Sequence, residues 1–181
     1  SPQQIFAALY AHPDLEVEPM SGGRQMGAHF CTPSNDKNGH WKDLTKQVNH
    51  SSDLSPTSGS IPRLIGLARA SKVYRSIKIK GSEKFSTNGN EIAWGTIGNA
   101  STSEGLFLEA MNAAGVHQIP MVLSVWDDGY GISVDNSLQT TKGSISKALA
   151  GLQRNENEKG FEILHVCGWD YPALIETYQK A

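Results

Sequence analysis

Two polar residues, Asn99 and Asp128, each follow a short apolar run in the middle of the chain. Residues 92–97 and 121–125 are predicted to form buried strands of a parallel sheet, because short apolar runs bounded by turn residues are typical of such strands. Between them lies a segment with apolar residues at helical spacing. A strand–helix–strand crossover is right-handed, so both strand ends open at the same edge of the sheet. We therefore expect Asn99 and Asp128 to reach one point in front of that edge.

The chemistry expected at this point is the binding of a hard cation. Oxygen atoms of an amide and a carboxylate, next to the backbone N–H groups that begin a helix, suit a cation that holds a phosphate or diphosphate. Ser101 and Glu104 have the spacing of a capping box, in which Ser101 caps the helix and Glu104 reaches back. The same spacing also fits an ordinary βαβ unit whose turns are merely polar. On spacing alone, the two interpretations carry about equal weight.

Composition limits the class of protein. The chain has 181 residues and a net charge of −2, which suits one domain, 1–181, and gives no basic patch for nucleic acid. No apolar run approaches the length of a membrane helix, so no membrane partner is expected. Cys31 and Cys167 are too few for a disulfide framework, and no signal or transit peptide is visible, so the expected location is cytoplasmic. A first residue of Ser1 suggests a processed chain or a fragment of a longer one.

The remaining elements are predicted from periodicity and caps. Leu67 and Leu106 are expected on buried helix faces, and residues 16–19 are expected to form a solvated acidic connector. Residues 161–166 are predicted to form a third buried strand. Four further helices are predicted: 1–10, one beginning near Pro62, 144–152 capped by Ser144, and 171–180 capped by Asp170.

The stretch from 92 to 134 resembles the thiamine-diphosphate motif of the alpha chain of 2-oxo acid dehydrogenases. That motif runs G-D-G, then E-G, an alanine-rich helix and a strand, and closes with N-N-x-Y-x-I-S. Here its positions hold Gly98-Asn99-Ala100, then Glu104-Gly105, and finally D-D-G-Y-G-I-S at 127–133. The resemblance implies an α/β fold of three layers, α/β/α, with a mainly parallel sheet: the thiamine diphosphate-binding fold. It also implies thiamine diphosphate and Mg²⁺ as cofactors.

The resemblance assigns the metal ligands to Asn99, Asp128 and the backbone carbonyl of Tyr130. In the family, the metal takes one carboxylate, one amide and the carbonyl of the tyrosine. This chain has one of each, with the acid and the amide exchanged, so the net charge of the ligands is unchanged. We interpret the exchange as compensated.

Contacts with the rest of the cofactor are implied for two groups of residues. Gly98, Ala100 and Ser101 belong to the motif itself. Ser55 and Thr57 match a family segment, S-P-L-x-T-Q-I-P, whose serine and following leucine contact thiamine.

The glycine-rich segment 21–30 contains His29. A lone histidine in a loop is usually structural. The segment nevertheless resembles the family's G-R-Q-M-x-x-H, which lines the entrance to the cofactor and acyl-acceptor site and favours branched-chain over pyruvate members. His29 is therefore the candidate catalytic residue, since neutral imidazole can donate or accept a hydrogen bond to the substrate or the incoming lipoyl group.

The activity that the resemblance implies is that of the decarboxylating component of a branched-chain 2-oxo acid dehydrogenase complex, of the 2-oxoisovalerate dehydrogenase type, which passes the acyl unit to lipoamide. The implied partners are a beta-type pyrimidine-binding chain or domain and the lipoyl domain of the acyltransferase component, within an oligomer. Because the partner would supply the activating glutamate, the chain alone is expected to be inactive. Two alternatives stay open: a transketolase-type thiamine-diphosphate enzyme, and a non-catalytic domain that has lost cofactor binding.

Overall fold

The computed structural model of the chain describes residues 2–18, 21–24, 31–47, 49–52 and 54–181. Its helices and strands are α1 (Pro2–Leu9), α2 (Ile61–Ser76), β1 (Ala93–Gly98), α3 (Gly105–His117), β2 (Met121–Trp126), β3 (Tyr130–Gly131), β4 (Val134–Asp135), α4 (Ile145–Leu149) and α5 (Tyr171–Lys180). Within these residues, none of the helices combines the length and the apolar character needed to cross a membrane.

The centre of the fold is the predicted βαβ unit, which is confirmed. β1 and β2 pair in parallel, with register from Ala93–Met121 to Gly98–Trp126, and α3 connects them. Helices α2 and α3 pack on one face of this pair, where a Cβ on Gly95 would lie 2.7 Å from Leu64. The buried core combines apolar side chains of α2, β1, α3 and α4: Ile61, Ile97, Phe107, Ala110, Met111, Ile145 and Leu149.

On the opposite face of the sheet, Tyr178 of α5 contacts both strands. The ring of Tyr178 lies 4.9 Å from that of Trp94, and its hydroxyl shares a 2.8 Å hydrogen bond with Ser124 Oγ. Trp126 extends this face and is largely exposed. The structure is thus a mixed α/β fold with a small parallel sheet, and the full three-layer arrangement stays a prediction.

The prediction of a third strand at 161–166 is wrong for this structure. Within the described residues, this segment forms only an isolated parallel bridge between Gln153 and Phe161. Phe161 and Ile163 nevertheless pack against the core. An apolar run indicates that side chains are buried, but it does not indicate that the backbone pairs with a neighbouring strand. The predicted burial is therefore correct, whereas the predicted strand is wrong.

The predicted buried faces of two helices were too wide. Leu67 in α2 is 49% exposed and Leu106 in α3 is 43% exposed. Apolar residues at helical spacing predict a stripe facing the core, and its width depends on how many neighbours cover the helix. Here each helix meets the other and a sheet of two strands, so only the centre of each stripe is buried.

The turn that leads into β1 depends on Gly89. Its φ is +73°, and a Cβ at this position would lie 2.2 Å from the carbonyl oxygen of Ser71 in α2. Its N–H also donates to Ser86 Oγ at 2.7 Å. The backbone of this turn therefore fits against α2 only without a side chain.

We predict that Gly89→Ala lowers the free energy of unfolding by more than about 2 kcal/mol, because the left-handed strain and the backbone clash add. Gly39→Ala is the matched control, since Gly39 has φ +83° but no heavy atom of the described residues lies within 4 Å of the added Cβ. Only the strain, about 1 kcal/mol, applies to this control. Urea denaturation of both variants measures the difference, and equal losses would contradict the packing argument.

Candidate functional site

The structure brings the two halves of the sequence motif together at the ends of β1 and β2. The N–H of Asn99 donates to the carbonyl of Trp126 at 3.1 Å, which extends the strand pairing by one residue. A Cβ on Gly131 would lie 2.5 Å from the Cβ of Ala100, so the hairpin of β3 and β4 lies against the turn that follows β1. This juxtaposition is what the crossover argument predicts.

Asn99 is held rigidly at the end of β1 and is 3% exposed. Its carbonyl accepts two hydrogen bonds from Thr102, from the N–H at 3.1 Å and from the hydroxyl at 2.6 Å. Its side-chain Nδ2 is buried and has no hydrogen-bond partner among the described residues. Buried amides are usually paired, so an unpaired one at a strand end is a sign of a missing acceptor.

The predicted capping box is wrong. Residues Ala100–Ser103 form a 3-10 turn, and α3 begins only at Gly105, with Glu104 at its N-cap and no side-chain capping hydrogen bond. Ser101 therefore does not cap the helix. The extra turn moves the start of α3 by several residues, and this leaves the Glu104 carboxylate free for a different partner.

That partner is Ser58, which sequence reasoning missed. Ser58 is fully buried, its hydroxyl donates to Glu104 Oε2 at 2.8 Å, and its N–H donates to the same oxygen at 3.3 Å. The two residues are 46 positions apart, so no local spacing could have indicated the contact. The bond fixes the 3-10 turn Thr57–Ser60 beside the motif, which places the exposed residues Ser55 and Thr57 near it.

The loop after β2 is shaped by its own carboxylates. Asp128 Oδ1 accepts the N–H of Tyr130 at 3.0 Å, and Asp127 Oδ1 accepts the N–H of Gly129 at 3.0 Å. Asp128 is exposed, so its carboxylate stays accessible to a cation at this edge. Within the described residues, no three His, Cys, Asp or Glu side chains come together around a metal position, so the predicted site would rely on one carboxylate with amide and carbonyl oxygens. That Asn99, Asp128 and Tyr130 share one ion stays a prediction.

The segment after β4 is hydrogen-bonded to the start of the β3–β4 hairpin. The N–H of Asn136 donates to Gly129 O at 2.9 Å, and its buried side-chain oxygen has no partner among the described residues. Asp135 caps the short turn that follows, and the hydroxyl and N–H of Ser137 hold the pKa of this carboxyl below its ordinary value. The carbonyl of Gly129 is thereby tied to a fixed turn.

The candidate catalytic residue His29 lies outside the described residues. The turn just before it is described and corrects another prediction, because Glu18 is 1% exposed and not a solvated connector residue. Its Oε2 accepts the N–H and hydroxyl of Ser21, at 2.8 and 2.6 Å, and the N–H of Gly23 at 3.0 Å. A buried carboxylate is tolerated when charge-assisted hydrogen bonds replace water, as they do here.

With this geometry in place, comparison with known families is informative. Residues 14–176 match the sequence model described as dehydrogenase E1 component, which is most of the chain. The chain belongs to the dehydrogenase E1 component family. The relationship predicted from the motif, to the alpha chain of 2-oxo acid dehydrogenases, is thus confirmed.

One relative of this E1 chain is the 2-oxoisovalerate dehydrogenase subunit alpha of Bacillus subtilis (strain 168). The two sequences are 28% identical over 135 residues, which is 75% of this chain and 33% of that protein. The chain therefore spans about a third of the length of the curated relative that it matches.

E1 dehydrogenases depend on thiamine diphosphate. The groups at the strand ends of this E1 chain fit the diphosphate and its cation in chemistry. They offer the unpaired amide N–H₂ of Asn99, the accessible carboxylate of Asp128, and the first N–H groups of the 3-10 turn Ala100–Ser103.

The Ser58–Glu104 bond should contribute measurably to the stability of the E1 chain. We predict that Ser58→Ala lowers the free energy of unfolding by about 1–2 kcal/mol, because it removes a charge-assisted donor from a partly buried carboxylate. The exposed neighbour Ser55 gives the matched control, and Ser55→Ala should change stability by less than about 0.5 kcal/mol. Thermal unfolding without cofactor checks both. A double-mutant cycle with Glu104→Gln should show coupling, and additive losses would mean that the bond contributes nothing in solution.

Proposed function

We propose that this E1 chain is the diphosphate-binding part of the decarboxylating component of a 2-oxo acid dehydrogenase complex, with a branched-chain 2-oxo acid as substrate. The observation that carries the proposal is the buried, unpaired amide of Asn99 at the point where the strand ends meet. The branched-chain assignment is supported by the matched relative, a 2-oxoisovalerate dehydrogenase subunit alpha, and by the segment around His29.

The residues that would hold the cofactor come from three turns. Asn99, Asp128 and the carbonyl of Tyr130 are the proposed ligands of Mg²⁺, which prefers oxygen ligands in octahedral geometry. Gly98, Ala100 and Ser101 would face the diphosphate. Ser55 and Thr57 would contact the thiamine part, and the Ser58–Glu104 bond holds their turn in place.

When bound, thiamine diphosphate supplies the carbon nucleophile and the electron sink for loss of carbon dioxide from the 2-oxo acid. The contribution of this chain is to bind and orient the cofactor. Asp128 would be the only charged protein ligand of the metal. The neutral amide of Asn99 would bind the metal through its oxygen, and its unpaired Nδ2 would donate to an anionic oxygen of the diphosphate. The exchange of acid and amide therefore keeps one negative charge among the ligands.

The rest of the active site is proposed to come from partners. A beta-type pyrimidine-binding chain or domain would supply the activating glutamate, and the lipoyl domain of an acyltransferase component would accept the acyl unit, in a cytoplasmic oligomer. Exposed aromatic side chains on the sheet face, Trp94 and Trp126, are consistent with a surface that a partner covers. Assays of the assembled enzyme with branched 2-oxo acids, pyruvate and sugar phosphates test the class, and turnover of sugar phosphates alone would favour a transketolase-type enzyme.

We predict that Asn99 and Asp128 behave as one charge-conserving pair. Asp128→Asn removes the only charged ligand and Asn99→Asp adds a second anion beside the diphosphate, so each should weaken magnesium-dependent binding about ten-fold or more. The double variant, Asn99→Asp with Asp128→Asn, should recover much of this loss, because groups that share one site are not additive. Calorimetric titration of the full-length assembly with thiamine diphosphate, with and without Mg²⁺, measures all four proteins.

Additive losses would remove the shared-metal interpretation. If the parent protein does not bind thiamine diphosphate, the alternative of a domain that has lost cofactor binding is favoured. The exchange of acid and amide would then be a sign of that loss. Asp127→Asn is the control, because Asp127 precedes Asp128 and its carboxylate accepts the Gly129 N–H. It should leave magnesium dependence unchanged.

We predict that His29→Ala lowers the decarboxylation or acyl-transfer rate of the assembled enzyme at least about 100-fold, the usual contribution of a positioned acid–base group. Its melting temperature should stay within about 1 °C of the parent, since a residue whose role is to bind substrate adds little to folding. Steady-state kinetics and calorimetric melting check the two readouts. A fall of several degrees with unchanged rates would make His29 a structural residue.

A further inference from the structure

A cleft of about 550 Å³ lies between the turns at 39–41 and 80–85. None of the candidate residues at the strand ends lines it. Its side chains are aromatic, basic and acidic: His40, Trp41, Lys80, Glu83, Lys84 and Phe85. The cleft is shallow and open to solvent on one side, so a ligand bound in it would stay partly exposed.

One wall of the cleft is a tight hairpin. Asn35 and Trp41 form an antiparallel bridge, and the N–H of Asp36 donates to His40 O at 2.8 Å. The carboxylate of Asp36 accepts the N–H groups of His40 and Asn38, at 3.0 and 2.8 Å, and these bonds hold the pKa of Asp36 below its ordinary value. The carboxylate of Asp36 is thus hydrogen-bonded within the turn, and Asp36 does not line the cleft.

The other wall is a 3-10 turn, Ser82–Lys84, entered through Gly81 at φ +87°. The two walls are joined at their base, because the Trp41 and Phe85 rings lie 5.1 Å apart at 80° and Lys84 Nζ donates to Trp41 O at 3.3 Å. Both walls therefore exist before any ligand arrives, which lowers the entropic cost of binding.

The lining combines an accessible ring with a surplus of positive charge. Trp41 is 53% exposed although its ring is in T-shaped contact with Phe85, so much of this residue stays open to a planar group. Lys80 and Lys84 outnumber Glu83, and ammonium groups bind carboxylate or phosphate by charge-assisted hydrogen bonds.

We propose that this cleft binds a small molecule that carries both a planar ring and an anionic group. Two sources share this chemistry, a nucleoside monophosphate and an aromatic carboxylate. The proposal does not depend on the function proposed above, because the cleft uses none of the residues assigned to the cofactor.

The first experiment is calorimetric titration of the protein with adenosine monophosphate and with phenylacetate, with thiamine diphosphate present throughout so that it cannot be displaced by the probes. Adenosine, which has the ring without the charge, and inorganic phosphate, which has the charge without the ring, should bind at least about ten-fold more weakly, since each loses one of the two interactions. The tighter of the two probes identifies the source. Absence of saturable binding of both probes up to millimolar concentration would overturn the proposal.

The second experiment places the binding in the cleft. Lys80→Gln should weaken the bound probe about five-fold, and Glu83→Gln should tighten it about two-fold, because one removes a cation and the other an anion from the lining. Lys78→Gln is the matched control, since Lys78 is also exposed, lies two residues away and does not line the cleft. Equal losses for Lys78→Gln and Lys80→Gln, or no change for Lys80→Gln, would show that the cleft is not the site.

Discussion

The parallel pairing of β1 and β2 is the constraint on which the rest of the structure depends. The chain crosses from one strand to the other through α3, and the register of the pairing places Gly98 opposite Trp126. The two turns that follow must then leave the sheet at the same edge. Asn99 lies at that edge because its N–H continues the pairing, and the hairpin that begins at Tyr130 folds back against Ala100.

A second constraint, the bond between Ser58 and Glu104, ties a distant segment to this edge. It joins the start of α3 to the turn before α2 across 46 positions. The sequence spacing had predicted that the same Glu104 carboxylate would take part in a helix cap. Because the carboxylate is partly buried and accepts from both the hydroxyl and the N–H of Ser58, it orders the segment that carries Ser55 and Thr57. This contact between two helix ends acts together with the bond from the Leu54 N–H to Ser60 Oγ, at 2.9 Å, which closes the same segment.

The features that the sequence predicts correctly are those that depend on neighbouring residues along the chain. The strands, α3 and the caps of α4 and α5 follow from apolar period and capping chemistry, and Ser144 and Asp170 accept from Lys147 and Ala173 as expected. The errors fall where tertiary partners decide. Glu18 is buried because the Ser21–Gly23 turn supplies hydrogen-bond donors to its carboxylate. Residues 161–166 do not form a strand because, within the described residues, they have only an isolated bridge to Gln153.

The exchange of acid and amide at the strand ends also has a consequence for the protein without ligand. Asn99, which directly follows β1, is buried, whereas Asp127 and Asp128 after β2 are exposed. A carboxylate at position 99 would be desolvated whenever no cation is bound, and an isolated buried charge is costly. Asn99 avoids that cost, and Asp128 keeps its charge where water can solvate it. With this arrangement, the strand end stays folded before a cation binds, and the charge that attracts the cation lies at the surface where the cation must enter.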